Sequence, residues 1–448
     1  MEHFRQTACG PIQGIAGGRP SVSAFLGIRY AKAEHWTYPT LVESWQGVYD
    51  ATHYGPCCIQ DSTYRPEATS NRPFYFNEFR KGIDYTYSEN CQVLNIWTPD
   101  DAKNAPVLVY LHGGAFLGGS AQEKCFDGTV LSTHGLVVVT VNFRLGPLGY
   151  AAFPELAARD GHTGNYGMYD ALAALQWVNK HIADFGGDPT NVTLMGQSAG
   201  ARMVQMLCIS PLAEGLVHKA VLCSGGGLVT LFGRQNTVEE IYHLWQRVLQ
   251  ASSADSFEAF SQLPAAQIYA AFGSCIGQDF VSMQAACCPV ADGLMLPRTI
   301  EQAIGQKTWH KIPYMIGSTS EDMTPRDMCL AAQGWMAEGE QPCYRYHFCR
   351  QLPGDNAGAF HSADLWYWFG TLDAAWRPFT DWDRELSNAM VRYLAAFART
   401  GDPAAAGLPA WPGNRQSAPD EMMRLGDTAI EFTKINASSI RQTEGIWA

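Results

Sequence analysis

The sequence predicts an α/β fold: a central, mostly parallel sheet flanked by helices, with a helical insertion over one end of the sheet. Three observations predict it. Apolar runs at 107–111, 136–143, 192–195, 220–223, 314–316 and 344–348 read as strands, and they are apolar at consecutive positions rather than alternate ones. Such strands are buried on both faces, as in a parallel sheet covered by helices. Helical stretches separate the runs, and the run at 192–195 leads straight into Gly196-Gln197-Ser198-Ala199-Gly200, a sequence suited to a sharp strand-to-helix turn.

Between the second and third strands, Leu175, Val178, Ile182 and Phe185 recur at helical spacing within 168–185, and Gly186-Gly187-Asp188-Pro189 stops the helix. This is a crossover helix that returns the chain to the next parallel strand. Residues 228–285 then interrupt the sheet pattern with helical segments of alternating polarity, 238–250 being one. They are expected to form a cap over the carboxyl ends of the strands, where sheets of this kind bind ligands. The helix at 385–399, rich in Ala and aromatic residues, reads as core packing. With no linker, internal repeat or low-complexity tract, residues 1–448 are expected to form one domain, with the 228–285 cap inside it.

A chain of 448 residues that is 46% hydrophobic can bury a large core. Its net charge of −12, with no Lys/Arg run, argues against nucleic acid or an anionic membrane as the principal partner. A small-molecule substrate fits this balance; oligomeric state is left open. The segment 1–6 lacks the apolar stretch of a signal peptide, and no run approaches the ~20 apolar residues that span a bilayer, so a cytoplasmic location is expected. Thirteen cysteines without a Cys-x-x-Cys pair form neither a disulfide framework nor a zinc motif. Reduced thiols are expected, with no metal and no cofactor.

The chemistry concentrates at the Gly-x-Ser-x-Gly turn, which makes Ser198 the candidate nucleophile. A nucleophile at the tip of such a turn is strained, and its neighbours must carry no bulk, hence the two glycines. Ala199 opens the helix, so its N–H points where an oxyanion would form. Upstream, 107–111 runs into His112-Gly113-Gly114-Ala115-Phe116, where adjacent glycines let backbone N–H groups converge on one point. Each element alone has a plain reading, a capped helix or a Gly-Gly turn. Both in this order favour acyl-transfer chemistry.

These residues, together with further blocks, resemble the type-B carboxylesterases, the α/β-hydrolase group that includes cholinesterases and bacterial para-nitrobenzyl esterases. The blocks run nearly end to end: Phe25-Leu26-Gly27-Ile28-Arg29-Tyr30-Ala31, Ser88-Glu89-Asn90-Cys91, Asn142-Phe143-Arg144-Leu145-Gly146, Gly164-Asn165-Tyr166-Gly167, Asp292-Gly293 and Phe397-Ala398-Arg399-Thr400-Gly401-Asp402-Pro403. The resemblance implies an α/β-hydrolase fold and a Ser–His–acid hydrolase of carboxylic esters. It implies His361 as general base, Asp322 as the acid with Glu321 the alternative, and Gly113, Gly114 and Ala199 as oxyanion donors. Ser224 is implied as a hydrogen-bonding neighbour of the acid.

Departures from the family pattern carry their own expectations. Gln197 replaces the acidic residue that many relatives have beside the serine, which removes a negative charge. Family members pair Arg144 with Asp170 structurally. Glu89 lacks its usual arginine, because His35-Trp36-Thr37-Tyr38-Pro39 stands in that stretch, and Arg29 is the expected substitute. Cys91 occupies a position disulfide-bonded in secreted relatives, with Cys57 or Cys58 as its counterpart; free thiols are expected here. The interval between acid and base is short, which predicts an open entrance relined in part by Trp366, Tyr367, Trp368, Phe369 and Trp376, with core packing the alternative. Phe116, Trp366 and Phe369 are the candidate pocket walls for aromatic or short-to-medium-chain esters. An amidase or transacylase using the same triad, and a catalytically silent binding protein, are the alternative functions.

Overall fold

The computed structural model describes residues 3–60, 73–227, 235–338, 341–413, 418–436 and 440. Eleven strands of the described residues join in one sheet. Numbered in chain order they are β1 (Ile15–Ala16), β2 (Val22–Arg29), β3 (Val93–Pro99), β4 (Ala105–Leu111), β5 (Val137–Val141), β6 (Gly187–Gln197), β7 (Lys219–Cys223), β8 (Tyr314–Thr319), β9 (Cys343–Phe348), β10 (Glu421–Leu425) and β11 (Ile430–Lys434). Their spatial order is β11-β10-β9-β8-β7-β6-β4-β5-β3-β2-β1. From β5 through β4, β6, β7, β8 and β9 to β10 every neighbour is parallel, while both outer flanks are antiparallel. All six runs predicted as strands lie in this sheet.

The consecutive apolar residues of the strands follow from two cores, one on each face. In β4, Val107, Val109 and Leu111 enter the first core, and Leu108 and Tyr110 enter the second. In β5, Val137, Val139 and Val141 face the first, and Val138 faces the second. Alternation along a strand therefore separates two hydrophobic cores rather than core from solvent.

The crossover helix is α1 (Tyr166–His181), extended by a 3-10 turn over Ile182–Phe185 and stopped by Gly186 in the left-handed conformation at φ 82°. Its start is two residues earlier than the sequence pattern alone suggests. Next come α2 (Ala199–Leu207), directly after β6, and then α3 (Val238–Ala251), α4 (Phe257–Ser261), α5 (Ala265–Ile276) and α6 (Phe280–Ala286). The last four occupy the expected cap interval, whose first residues, 228–234, lie outside the described residues. Tyr269 of α5 donates its hydroxyl to Ile59 O at 2.5 Å and approaches Leu145 O at 3.1 Å, so this helix docks just beyond the carboxyl end of β5.

Near the C-terminus, α7 (Leu365–Phe369) packs on α8 (Asp381–Thr400), which fills the second core as the sequence pattern of 385–399 predicts. Among the described residues no helix is long and apolar enough to cross a membrane.

Candidate active site

Ser198 is the single residue between β6 and α2, at φ 56° and ψ −123°. A non-glycine residue in this region stores on the order of 1–3 kcal/mol, so its surroundings must hold it there. They do so by close packing. A Cβ on Gly196 would lie 2.4 Å from the carbonyl carbon of Gly200, and one on Gly200 would lie 2.1 Å from Leu111 O. Both glycines are therefore required because strand, turn and helix fold onto one another. Ser198 N donates to Cys223 O at 2.9 Å, which ties the turn to β7.

The glycine loop leaves β4 and lies against this turn. Gly114, Ala115 and Phe116 have φ values of 120°, 56° and 61°, and the N–H groups of Leu117 and Gly118 both bond to Gly114 O at 3.0 Å. A Cβ on Gly113 would approach Gln197 Oε1 to 2.5 Å and Ser198 Cβ to 3.1 Å. Among the described residues, the backbone N–H groups of Gly113, Gly114 and Ala199 reach no protein acceptor. His112 supports the loop: Nδ1 lies 2.8 Å from Gly113 O, and its ring stacks on Phe143 at 4.5 Å. Burial drives the His112 pKa down to about 4 against the raising effect of that hydrogen bond, so its imidazole is neutral at physiological pH.

Asp322 follows β8, and His361 lies beyond β9. A local parallel bridge between Glu321 and Phe360, with Glu321 N donating to Ala359 O at 3.1 Å, brings the two segments side by side. Successive side chains of extended backbone point in opposite directions. Asp322 Oδ1 meets His361 Nδ1 at 2.6 Å, whereas Glu321 turns away to accept from Gln351 Nε2 and Ala359 N, each at 2.9 Å, and from the Ser320 hydroxyl.

The Asp322 carboxylate is fully buried and also accepts from Met323 N at 2.9 Å and from Thr319 N and Oγ1 at 3.2 Å. Burial pushes its pKa up, but the adjacent His361 charge and hydrogen bond, with help from Ser224 and Met323, pull it below the usual value. The Ser224 hydroxyl contributes to that lowering without making a hydrogen bond of ordinary geometry.

His361 Nε2 has a partner the sequence did not point to. Gln197 Nε2 lies 3.1 Å away, and among the described residues no protein hydrogen bond reaches the Ser198 hydroxyl. With Nδ1–H donating to Asp322, Nε2 is the acceptor and the Gln197 amide the donor. Ser198, Gln197 and His361 are all at least nine-tenths buried.

Other residues around His361 also escape sequence reasoning. Tyr75 donates its hydroxyl to His361 O at 3.0 Å across 286 positions. Asp364, fully buried, accepts from Tyr346 Oη at 2.8 Å and Trp368 Nε1 at 3.2 Å, and burial raises its pKa to about 6. Spacing along the chain carries no signal for such contacts.

Two expectations are corrected. Glu89 pairs with His35 at 2.8 Å, while Arg29 donates to Asn90 O at 3.2 Å. The histidine in the divergent stretch thus stands where the resemblance led to an arginine. Trp366 and Phe369 are fully buried in the second core: Trp366 stacks on Phe79 and donates Nε1 to Glu78 Oε1 at 2.8 Å, and Phe369 packs between Tyr110 and Phe126. Of the aromatic cluster after His361, Trp376 alone is exposed. Phe116 is buried edge-on against Tyr150 at 5.4 Å.

The expected Arg144–Asp170 pair is present and two-pronged, with Nε–Oδ2 and Nη2–Oδ1 both at 2.8 Å. All thirteen cysteines are free thiols.

The model of the carboxylesterase family matches residues 2–328 and 327–441. The chain is 28% identical to the para-nitrobenzyl esterase of Bacillus subtilis (strain 168), covering 95% of each chain, and 29% identical to carboxylesterase 3 of Pongo abelii, covering 90% of this chain and 84% of that one. It is also 31% identical to the fumonisin B1 esterase of Sphingopyxis macrogoltabida, although that match spans 56% of the relative. Its fold is similar to a solved PNB esterase at a TM-score of 0.82 and 26% identity, with 97% of both chains covered. The chain belongs to the carboxylesterase family, has the α/β-hydrolase fold, and is a carboxylic ester hydrolase.

Proposed function

We propose that this hydrolase works through a Ser198–His361–Asp322 triad with Gly113, Gly114 and Ala199 as oxyanion donors. The observation that carries the reading is the 2.6 Å His361–Asp322 bond, linked through Gln197 to the strained turn at Ser198; the N–H groups of Gly113, Gly114 and Ala199 have no protein acceptor among the described residues. Ser198 Oγ attacks the ester carbonyl as His361 Nε2 takes its proton, while Asp322 keeps the proton of Nδ1 in place and stabilises the imidazolium. For this step the Gln197 amide rotates off Nε2, and the Ser198 hydroxyl takes its position. The carbonyl oxygen, now carrying negative charge, receives the three N–H groups, each worth on the order of 3 kcal/mol. His361 then protonates the departing alkoxide, and water activated by the same imidazole releases the acid from Ser198.

Phe116, at the end of the glycine loop, is the proposed pocket wall, and Trp366 and Phe369 act from behind as packing that fixes the base segment. The preferred substrates are aromatic or short-to-medium-chain esters. Thirteen free thiols support a reducing, cytoplasmic setting.

A panel of para-nitrophenyl esters from acetate to decanoate, with a para-nitroanilide alongside, tests the proposal. Ester turnover is expected to exceed anilide turnover, and Ser198→Ala is expected to lower kcat by at least about 10⁴-fold. Equal rates for Ser198→Ala and wild type would remove Ser198 from the mechanism.

A further inference from the structure

Five arginines are buried among the described residues: Arg80, Arg144, Arg202, Arg345 and Arg377. Four have side-chain hydrogen-bond partners. Arg80 donates to Gln60 Oε1, Arg144 forks onto Asp170, Arg345 donates to the Pro419 and Cys329 carbonyls, and Arg377 binds Glu78 and Asp355. Arg202 is different. It is 4% exposed, yet among the described residues its guanidinium has no hydrogen-bond or ion-pair partner, and Nη1 is buried with none. A buried cation left in this state is costly, because no directly bound anion offsets its desolvation.

The position of Arg202 matters as much as its lack of a partner. It stands one turn after Ser198 on α2, where Arg202 N donates to Ser198 O at 3.0 Å. Side chains on a helix lean toward its N-terminus, so the guanidinium leans back along the nucleophile's own turn. Beside the dominant effect of burial, two groups act the other way: Glu301, and Cys288 just beyond α6, whose thiol burial pushes up to about 12 and so keeps neutral at physiological pH. Burial lowers its pKa to about 10, which leaves it a cation at neutral pH.

We infer that Arg202 is an anion-recognition residue of the acyl site, and that this enzyme selects esters whose acyl chain ends in a free carboxylate: hemi-esters of dicarboxylic acids. The acyl group stays on Ser198 after the alcohol leaves, so a cation on the same helix accompanies the acyl part. Four residues of helix rise correspond to roughly 6 Å, the span of a three- or four-methylene acyl chain. The selectivity comes from the site itself, since a chain of net charge −12 repels anions at long range. This inference rests on the Ser198 reading above.

Monomethyl glutarate and its neutral isostere methyl 5-methylhexanoate, followed by acid release at constant pH, test it. The wild-type enzyme is expected to show a higher kcat/KM for the hemi-ester. Arg202→Gln is expected to lower the hemi-ester to neutral-ester ratio of kcat/KM by about 30-fold, the scale of one lost charge-assisted contact, and Arg202→Lys to recover part of it. A wild-type preference for the neutral ester overturns the inference whether or not the variants fold. A ratio that Arg202→Gln leaves within about threefold of wild type also overturns it. Neutral-ester turnover that disappears in Ser198→Ala keeps the triad reading intact in either case, whereas failure to hydrolyse both esters removes the two readings together.

Discussion

Gln197 shows how one side chain can set the resting state of this site. Its amide occupies His361 Nε2, the atom that must accept the Ser198 proton. Gln197→Glu would put a carboxylate beside the imidazole and favour its protonated form. The acid limb of the kcat/KM profile is then expected to move to higher pH, with activity lost first below neutrality; an unmoved limb would separate Gln197 from the base. Asp322 and Glu321 make a sharper contrast. Asp322→Asn removes the acceptor that fixes the His361 tautomer and is expected to cost about 10⁴ in kcat. Glu321→Gln, which disturbs the Gln351, Ala359 and Ser320 contacts but not the bond to His361, is expected to stay within about tenfold of wild type. Of these features, the serine turn was legible as a local motif, whereas His361 and Asp322 were indicated by the family resemblance alone. The Gln197–His361 and Tyr75–His361 contacts were not legible, because they join residues 164 and 286 positions apart.

At the level of elements, the site depends on how segment ends are tied down. The N-terminus of α8 is a capping box in which Thr380 and Asp383 bond reciprocally, and Asp383 also receives Arg350 Nε at 2.7 Å and the Tyr367 hydroxyl at 2.6 Å. These contacts join the segment after β9, α7 and α8. Burial raises the Asp383 pKa, but the Arg350, Tyr367 and Thr380 hydrogen bonds outweigh it and bring the value from 3.8 to about 2. A carboxyl held lower in the folded state stabilises it above the unfolded value and loses that contribution as pH falls. Asp383→Asn is therefore expected to be less stable than wild type at neutral pH, with the gap closing as pH falls from 3.8 to about 2. A gap constant down to pH 2, measured by chemical denaturation, would contradict the linkage.

The Arg144–Asp170 pair acts in a similar way between the segment after β5 and α1. Asp170→Asn leaves a buried guanidinium half-paired and is expected to cost about 3–5 kcal/mol of stability. Periodicity and stop signals made the strands and α1 legible. The Glu89 partner was misread because the sequence offered both an arginine and a histidine within reach, and backbone geometry alone decides between them.

Across the whole molecule, one sheet with a core on each face explains why the strands read as unbroken apolar runs, and why the aromatic cluster after His361 became core rather than pocket. The second face of the sheet had to be filled, and α7 and α8 supply the rings. Fold class was legible for this reason, whereas pocket walls were not, since an aromatic residue satisfies either role until its neighbours are known. The thirteen free thiols give a global expectation: reducing agent leaves the thermal unfolding midpoint unchanged, and a fall on reduction would reveal a disulfide.

The central claim is that Ser198 is the atom donor to the acyl intermediate. Titration with a para-nitrophenyl phosphonate, followed by mass spectrometry of the digested enzyme, tests it most directly. One phosphonyl group per chain is expected, on Ser198, with activity lost in proportion to labelling. Full inactivation with the label on another residue would contradict it.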